Sequence, residues 1–152
     1  MSIEDKLRAA GIELPVAAAP AANYVPFVMH EGLLHIAGQI PFRDGQVVRG
    51  RLGETMDVEA GRATARLCGL GLIAQMKAAL GSLDRVERVV KLGVFVNSAA
   101  DFTDQPQVAN GASELMQDVF GEAGRHARAA VGVPALPRGA AVEVDAVFQV
   151  RG

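Results

Sequence analysis

From Ala140 to Val150 the chain reads AAVEVDAVFQV, and its side-chain character alternates at every step. Ala141, Glu143, Asp145, Val147 and Gln149 fall on one side, while Val142, Val144, Ala146, Phe148 and Val150 fall on the other. A period of two belongs to an extended strand with one buried face, and a helix cannot satisfy it. The segment before it, Ala127 to Val133, also alternates, and Pro134 and Pro137 close it. Proline cannot donate to a central ladder and favours turns, so two strands joined by a Pro-rich turn are predicted over 127–150. Arg128 then stands near the start of the first strand. A guanidinium on such a rigid support can hold its planar fork toward a carboxylate or phosphate; the plainer alternative is a solvated strand-end arginine.

What precedes this pair reads as scaffold. Ser2 is placed to cap a short helix, with Asp5 three residues on, Ile3, Leu7 and Ala10 at helical spacing, and Gly11 as the stop. Leu14 to Ala22 is rich in Pro and Ala and is expected to run extended over the surface. Tyr24 to Met29 and Leu33 to Ala37 are apolar runs around His30-Glu31-Gly32, a hairpin signature in which Gly32 supplies a positive φ. Gly38 follows the second strand, and Arg43 to Glu54, with its Asp44-Gly45 turn, is read as loop.

Asp57 is the expected cap of the longest helix, which runs to Leu80 with Ala60, Ala63, Leu67, Leu70, Ala74 and Ala78 on its inner stripe. Val86 to Val96 is a long central strand with Val90, Leu92, Val94 and Val96 on one face. A second helix is predicted from about Gln107 to Phe120, with Val108, Leu115 and Val119 inward. This order gives an α+β fold, two main helices packed on one face of a mixed sheet. The face left bare is a candidate subunit interface, because several strands are apolar on more than one side.

Composition narrows the function classes. One domain accounts for 152 residues that are 50% hydrophobic. A net charge of −2 provides no field to gather a polyanion, which weighs against nucleic acid. The single cysteine, Cys68, excludes an intrachain disulfide and reads as a buried, inert thiol. The acidic N-terminal stretch and the lack of an 18-residue uncharged apolar span point to a cytoplasmic location without membrane contact.

His30, His35 and His126 form no ligand pair at helical spacing, so no metal is expected. His35 reads as a half-buried strand residue, and His126 as a loop residue beside Arg125 or a pocket wall. Gly69-Leu-Gly71-Leu-Ile-Ala74 matches a dinucleotide pattern but falls inside a helix rather than after a strand, so close packing is the reading preferred. Glu143 and Asp145 share one strand face, and no pattern for an activated serine or cysteine nucleophile is present.

Four short motifs in order, Leu34-His-Ile-Ala-Gly-Gln-Ile-Pro41, Val94-Phe-Val-Asn97, Arg128-Ala-Ala-Val131 and Leu136-Pro137 followed by Val142-Glu-Val-Asp-Ala146, resemble the RidA/YjgF family of imine and enamine deaminases from about Ala21 onward. The resemblance implies a homotrimer of chorismate-mutase-like architecture with clefts between subunits and no cofactor. It carries the substrate-carboxylate arginine onto Arg128, the water-positioning glutamate onto Glu143, and further substrate contacts onto Tyr24, Ala130, Gly38 and Asn110, with Tyr24 closing the pocket from a neighbouring subunit. Ala130 stands where many members have Cys, and Ala37 where they have Ser. The implied activity is hydrolysis of a small 2-imino or enamino acid to a 2-ketoacid and ammonia. The rival readings are a non-catalytic trimer that binds small carboxylates and, from the endoribonuclease label on some relatives, RNA cleavage.

Overall fold

A computed structural model describes residues 1–20 and 22–152. A short helix, α1 (Ile3–Ala9), opens the chain, and the Ser2 and Asp5 side chains cap it reciprocally as the spacing predicts. β1 (Phe27–His30) and β2 (Leu33–Gln39) form a hairpin whose turn places both Glu31 and Gly32 at positive φ. Gly38 is therefore inside β2 rather than after it, at a register shift between Ile36 and Gln39. The segment expected to be loop holds a small hairpin, β3 (Phe42–Arg43) and β4 (Gln46–Val47), turned by Asp44-Gly45 at positive φ. Then come α2 (Val58–Leu80), capped by the Asp57 carboxylate, β5 (Val86–Asn97), α3 (Gln105–Phe120), β6 (Ala127–Val133) and β7 (Val142–Val150).

The five long strands form one mixed sheet in the order β1-β2-β7-β5-β6, with β6 parallel to β5 and the remaining pairs antiparallel. The α+β expectation holds, with α2 and α3 on one sheet face. Leu34, Ile36, Leu92, Val94, Val144 and Phe148 point beneath those helices and are buried. Among the described residues no helix is long and apolar enough to cross a membrane.

Two faces differ from the sequence reading. On α2 only Ala74 of the expected stripe is buried, and the buried stripe runs through Gly61, Ala65, Cys68, Leu72, Met76 and Leu80. Alanine and glycine surround this helix, so periodicity defines its inner face weakly; close approach decides it. A Cβ on Gly61 would lie 2.7 Å from Leu52 Cδ1, and one on Gly69 would lie 2.8 Å from Leu115 Cδ2 of α3. Gly69 is thus a packing glycine, as its place inside the helix implied. On β5, Val90 is exposed and Val89 buried. Val89 pairs with Phe148 and Lys91 with Val147, so β5 takes two steps where β7 takes one; this bulge turns Val90 outward.

Candidate functional site

The expected site residues fall into two groups on opposite faces of the sheet. Paired residues on neighbouring strands share a face, and faces alternate along each strand. Arg128 pairs with Leu92, whose side chain is buried under the helices, whereas Glu143 pairs with Phe95, three residues further along β5. Three is odd, so Glu143 lies on the bare face and Arg128 on the helical face, at the sheet edge formed by β6.

The Glu143 group is built by β2, β7 and the extended N-terminal lead-in. Ala18, Ala19, Pro20, Ala22, Tyr24, Ala37, Gly38, Phe42, Arg138 and Glu143 line a cavity of about 530 Å³. Tyr24 and Glu143 of one chain thus share a pocket. Gly38 is what lets the carboxylate lie there: a Cβ at this position would stand 2.9 Å from Glu143 Cδ and 3.1 Å from its Cγ, and closer still to Oε2. Burial lifts the Glu143 carboxyl above its ordinary range, and the neighbouring Asp145 charge adds to the shift. Asp145 is raised as well, again by burial first, against a backbone hydrogen bond from Gly93 and the charge of Lys91. The two acids share the bare face, as their spacing predicts. Arg138 holds positive φ and stacks its guanidinium 5.8 Å from the centre of the Phe42 ring.

The Arg128 group lies between β6 and α3. Arg128 Nη1 donates to Asn110 Oδ1 at 2.9 Å and to Ser113 Oγ at 3.0 Å, and Nη2 donates to the Pro106 carbonyl at 3.4 Å. Asn110, expected as a site residue, therefore meets Arg128 directly. Ala130 is half-buried two residues further along β6 and adds only a methyl group. His126 joins this group: its Nε2 lies 2.9 Å from Ser113 Oγ and its Nδ1 2.6 Å from the Gly124 carbonyl. Burial lowers the His126 pKa, and the Arg128 charge lowers it further, against the Gly124 carbonyl. Sequence reading missed Ser113, which has no motif around it and enters only because α3 packs across β6.

His35 is exposed on β2 rather than half-buried. Cys68 is fully buried, its Sγ 3.5 Å from the Val142 carbonyl, and burial pushes its thiol pKa well up. Among the described residues no group of three or more His, Cys, Asp or Glu side chains is placed to hold a metal ion.

Residues 4–148 match the family model described as "YjgF/chorismate_mutase-like, putative endoribonuclease". Protein TCP17 of Trypanosoma cruzi is 58% identical over 95% of this chain and 91% of its own length. The crystal structure of Atu1372 from Agrobacterium tumefaciens, a protein of unknown function, superposes with a TM-score of 0.91 at 46% identity, covering 98% of this chain and 92% of that one. A Shewanella oneidensis protein described as a "putative endoribonuclease" superposes at TM-score 0.95 with 35% identity, over 99% of this chain and 100% of that one.

Proposed function

The chain belongs to the YjgF/chorismate-mutase-like family, and from that premise and the two half-sites we propose that it is a cofactor-free hydrolase of small reactive 2-imino and 2-enamino acids, releasing a 2-ketoacid and ammonia. The observation that carries the reading is Glu143, a half-buried carboxyl of raised pKa laid over Gly38 in a pocket beside Tyr24. Such a group can hold a water molecule, take a proton from it and return that proton to a departing amine. An imine already reacts with water, so orientation and proton transfer supply most of what a catalyst must add. A 2-enamino acid first gains a proton at its β-carbon and loses one from nitrogen, becoming the imine. Water then adds to the imine carbon with one proton passing through Glu143 to nitrogen, and the carbon–nitrogen bond breaks as the hydroxyl gives its proton to the departing amine and becomes a carbonyl. The products are one 2-ketoacid and one ammonia, and no redox change occurs.

Arg128 is the carboxylate clamp in this proposal. Because it lies on the other face from Glu143, the complete site takes Arg128 from one subunit and Glu143, Gly38 and Tyr24 from the next, in a homotrimer. Val28 and Val131, on the bare face at its two edge strands, are 50% and 46% exposed, which suits burial between copies. Escherichia coli TdcF, a fold neighbour at 24% identity and TM-score 0.62, has been crystallised with bound serine.

Ammonia release from freshly generated 2-aminoacrylate tests the activity, and light scattering tests for three-subunit mass. Subunit mixing tests the shared site. Trimers assembled from equal amounts of Arg128→Ala and Glu143→Gln chains should regain about one quarter of wild-type activity, because a quarter of head-to-tail interfaces then pair two intact halves. No recovery, with mixed trimers present, would put the reaction inside one subunit and sink the split-site scheme.

A second reading, a trimer that binds small carboxylates without turning them over, is favoured by Ala37 and Ala130, which present methyl groups rather than polar side chains. Binding of 2-ketoacids without ammonia release would establish it. RNA cleavage would require salt-dependent RNA binding, for which the net charge of −2 provides little attraction.

A further inference from the structure

We infer that Ser113 and His126 are positioning residues for Arg128, forming a one-way hydrogen-bond relay that fixes the guanidinium; this rests on the reading of Arg128 as the carboxylate clamp. The direction of the relay follows from its last member. The Gly124 carbonyl can only accept, so His126 Nδ1, 2.6 Å away, must carry a proton. In the neutral ring Nε2 is then an acceptor, and the Ser113 hydroxyl, 2.9 Å away, donates to it. The hydroxyl oxygen is left to accept from Arg128 Nη1 at 3.0 Å. Arg128, Ser113 and His126 thus donate in a single sense, ending on the Gly124 carbonyl, an arrangement in which each bond polarises the next.

A serine beside a histidine also suggests a nucleophile, and the geometry argues against that role. The Ser113 oxygen already receives a cation's N–H, which draws electron density from its lone pairs. Ser113 itself is only 7% exposed, on the inner side of α3. With Asn110 gripping the same nitrogen at 2.9 Å, Ser113 and Asn110 pin Nη1 from the α3 side, which orients the remaining edge of the fork.

The relay holds only while His126 is neutral. A second ring proton would abolish the acceptor at Nε2 and turn the Ser113 hydroxyl away. The charged group acting on His126 is Arg128 of β6, and α3 presents the uncharged Ser113. On its own segment the neighbour is Arg125, whose carbonyl accepts from Arg88 of β5 at 2.8 Å. Burial first, and then the Arg128 charge, lower the His126 pKa against the Gly124 carbonyl and keep the ring neutral into the lower part of the ordinary histidine range.

The test uses the intact trimer and two readouts. The first is steady-state kinetics on 2-aminoacrylate. Ser113→Ala and His126→Leu should each raise KM about tenfold, on the scale of one hydrogen bond to a charged group, with kcat within about twofold. The wild type should show a rise in KM at acid pH as His126 takes a second proton, and His126→Gln, which keeps an acceptor but cannot titrate, should recover most of the affinity and lose that rise. The second readout is nitrogen-15 NMR of the Arg128 guanidinium, which needs no turnover. Slow rotation about the Cζ–Nη bond should give separate Nη signals in the wild type and in His126→Gln, and averaged signals in Ser113→Ala and His126→Leu. If the Arg128 signals and KM ignore Ser113→Ala and His126→Leu, the relay is overturned. If the NMR responds while the wild type is inert toward imino acids, the relay stands and the proposed reaction fails.

Discussion

Replacing Gly38 with alanine isolates what the Glu143 carboxylate contributes. Gly38 φ lies outside the left-handed region, so an alanine there meets no backbone strain; the three atoms nearest the added methyl all belong to Glu143. At 2.9 Å from Cδ and 3.1 Å from Cγ, the new Cβ is inside ordinary contact distance, and the carboxylate must retreat by about half an ångström or more, further at its oxygens. The tip of a glutamate can swing aside, so an off-rotamer strain of about 1 kcal/mol bounds the damage to folding. Catalysis is less tolerant. Moving a reacting group by about 1 Å can lower a rate by about a hundredfold, so Gly38→Ala should reduce kcat roughly 10- to 100-fold while Tm falls only a few degrees.

The assay is ammonia release in a double-mutant cycle with Glu143→Ala. If the methyl acts through Glu143, it has nothing left to displace in the Glu143→Ala background and should cost no further activity there, leaving a coupling equal to the whole single-mutant effect. Equal losses in both backgrounds would mean that Gly38 acts on the substrate or the backbone instead. Unchanged activity in the Gly38→Ala single variant would refute the placement of the reacting carboxylate.

Arg128→Ala should reduce kcat/KM roughly 30- to 1,000-fold, the range for losing a two-pronged charge-assisted contact of about 2 to 4 kcal/mol, and Arg128→Lys should fall between it and the wild type because a point charge lacks the fork. Activity that survives in properly folded Arg128→Ala would make the arginine structural. Glu143→Gln should depress kcat more than it raises KM, and it should also stabilise the fold at neutral pH. The sign follows from its raised folded-state pKa: between the ordinary value of 4.5 and the folded value the native state holds a proton that the unfolded chain has lost, so stability falls as pH rises through that window. Thermal melts of wild type and Glu143→Gln should converge below that window and separate above it; the opposite order would mean that Glu143 is held ionised by a partner.

How much of this was legible in the sequence depends on which physical signal marked each part. β6 appears over the residues its alternation predicts, and β7 over all but the first two of its own, because a strand with one wet and one dry face writes a period of two into the chain. The α2 face was not legible, since a helix of alanines and glycines has almost the same surface all round until a neighbour approaches it. Val90 illustrates a different limit: a bulge changes the parity of a strand without altering its composition. Asn110 and Arg128 were both expected at the site, but their direct contact depends on how α3 crosses β6, which no local pattern states.

The division of the site follows from one topological choice. Consecutive strands joined by a short turn commonly pair, and an antiparallel β6-β7 hairpin would have set the two strands side by side. Instead β5 lies between them and runs parallel to β6, so the connection after Val133 must pass from one side of β5 to the other. Parity then assigns Arg128 to the face of Leu92 and Glu143 to the face of Phe95. Separate faces give each group what it needs. Arg128 gains the polar groups of α3 that orient its fork, and Glu143 gains an apolar wall that raises its pKa without a helix over it. Arg138 lines the same cavity, yet burial and the Asp145 charge still hold the Glu143 carboxyl above its ordinary range, whereas a guanidinium in direct contact with it would lower that pKa. In the proposed trimer the two groups converge across the substrate, whose carboxylate neutralises Arg128 and leaves Glu143 poised for the water.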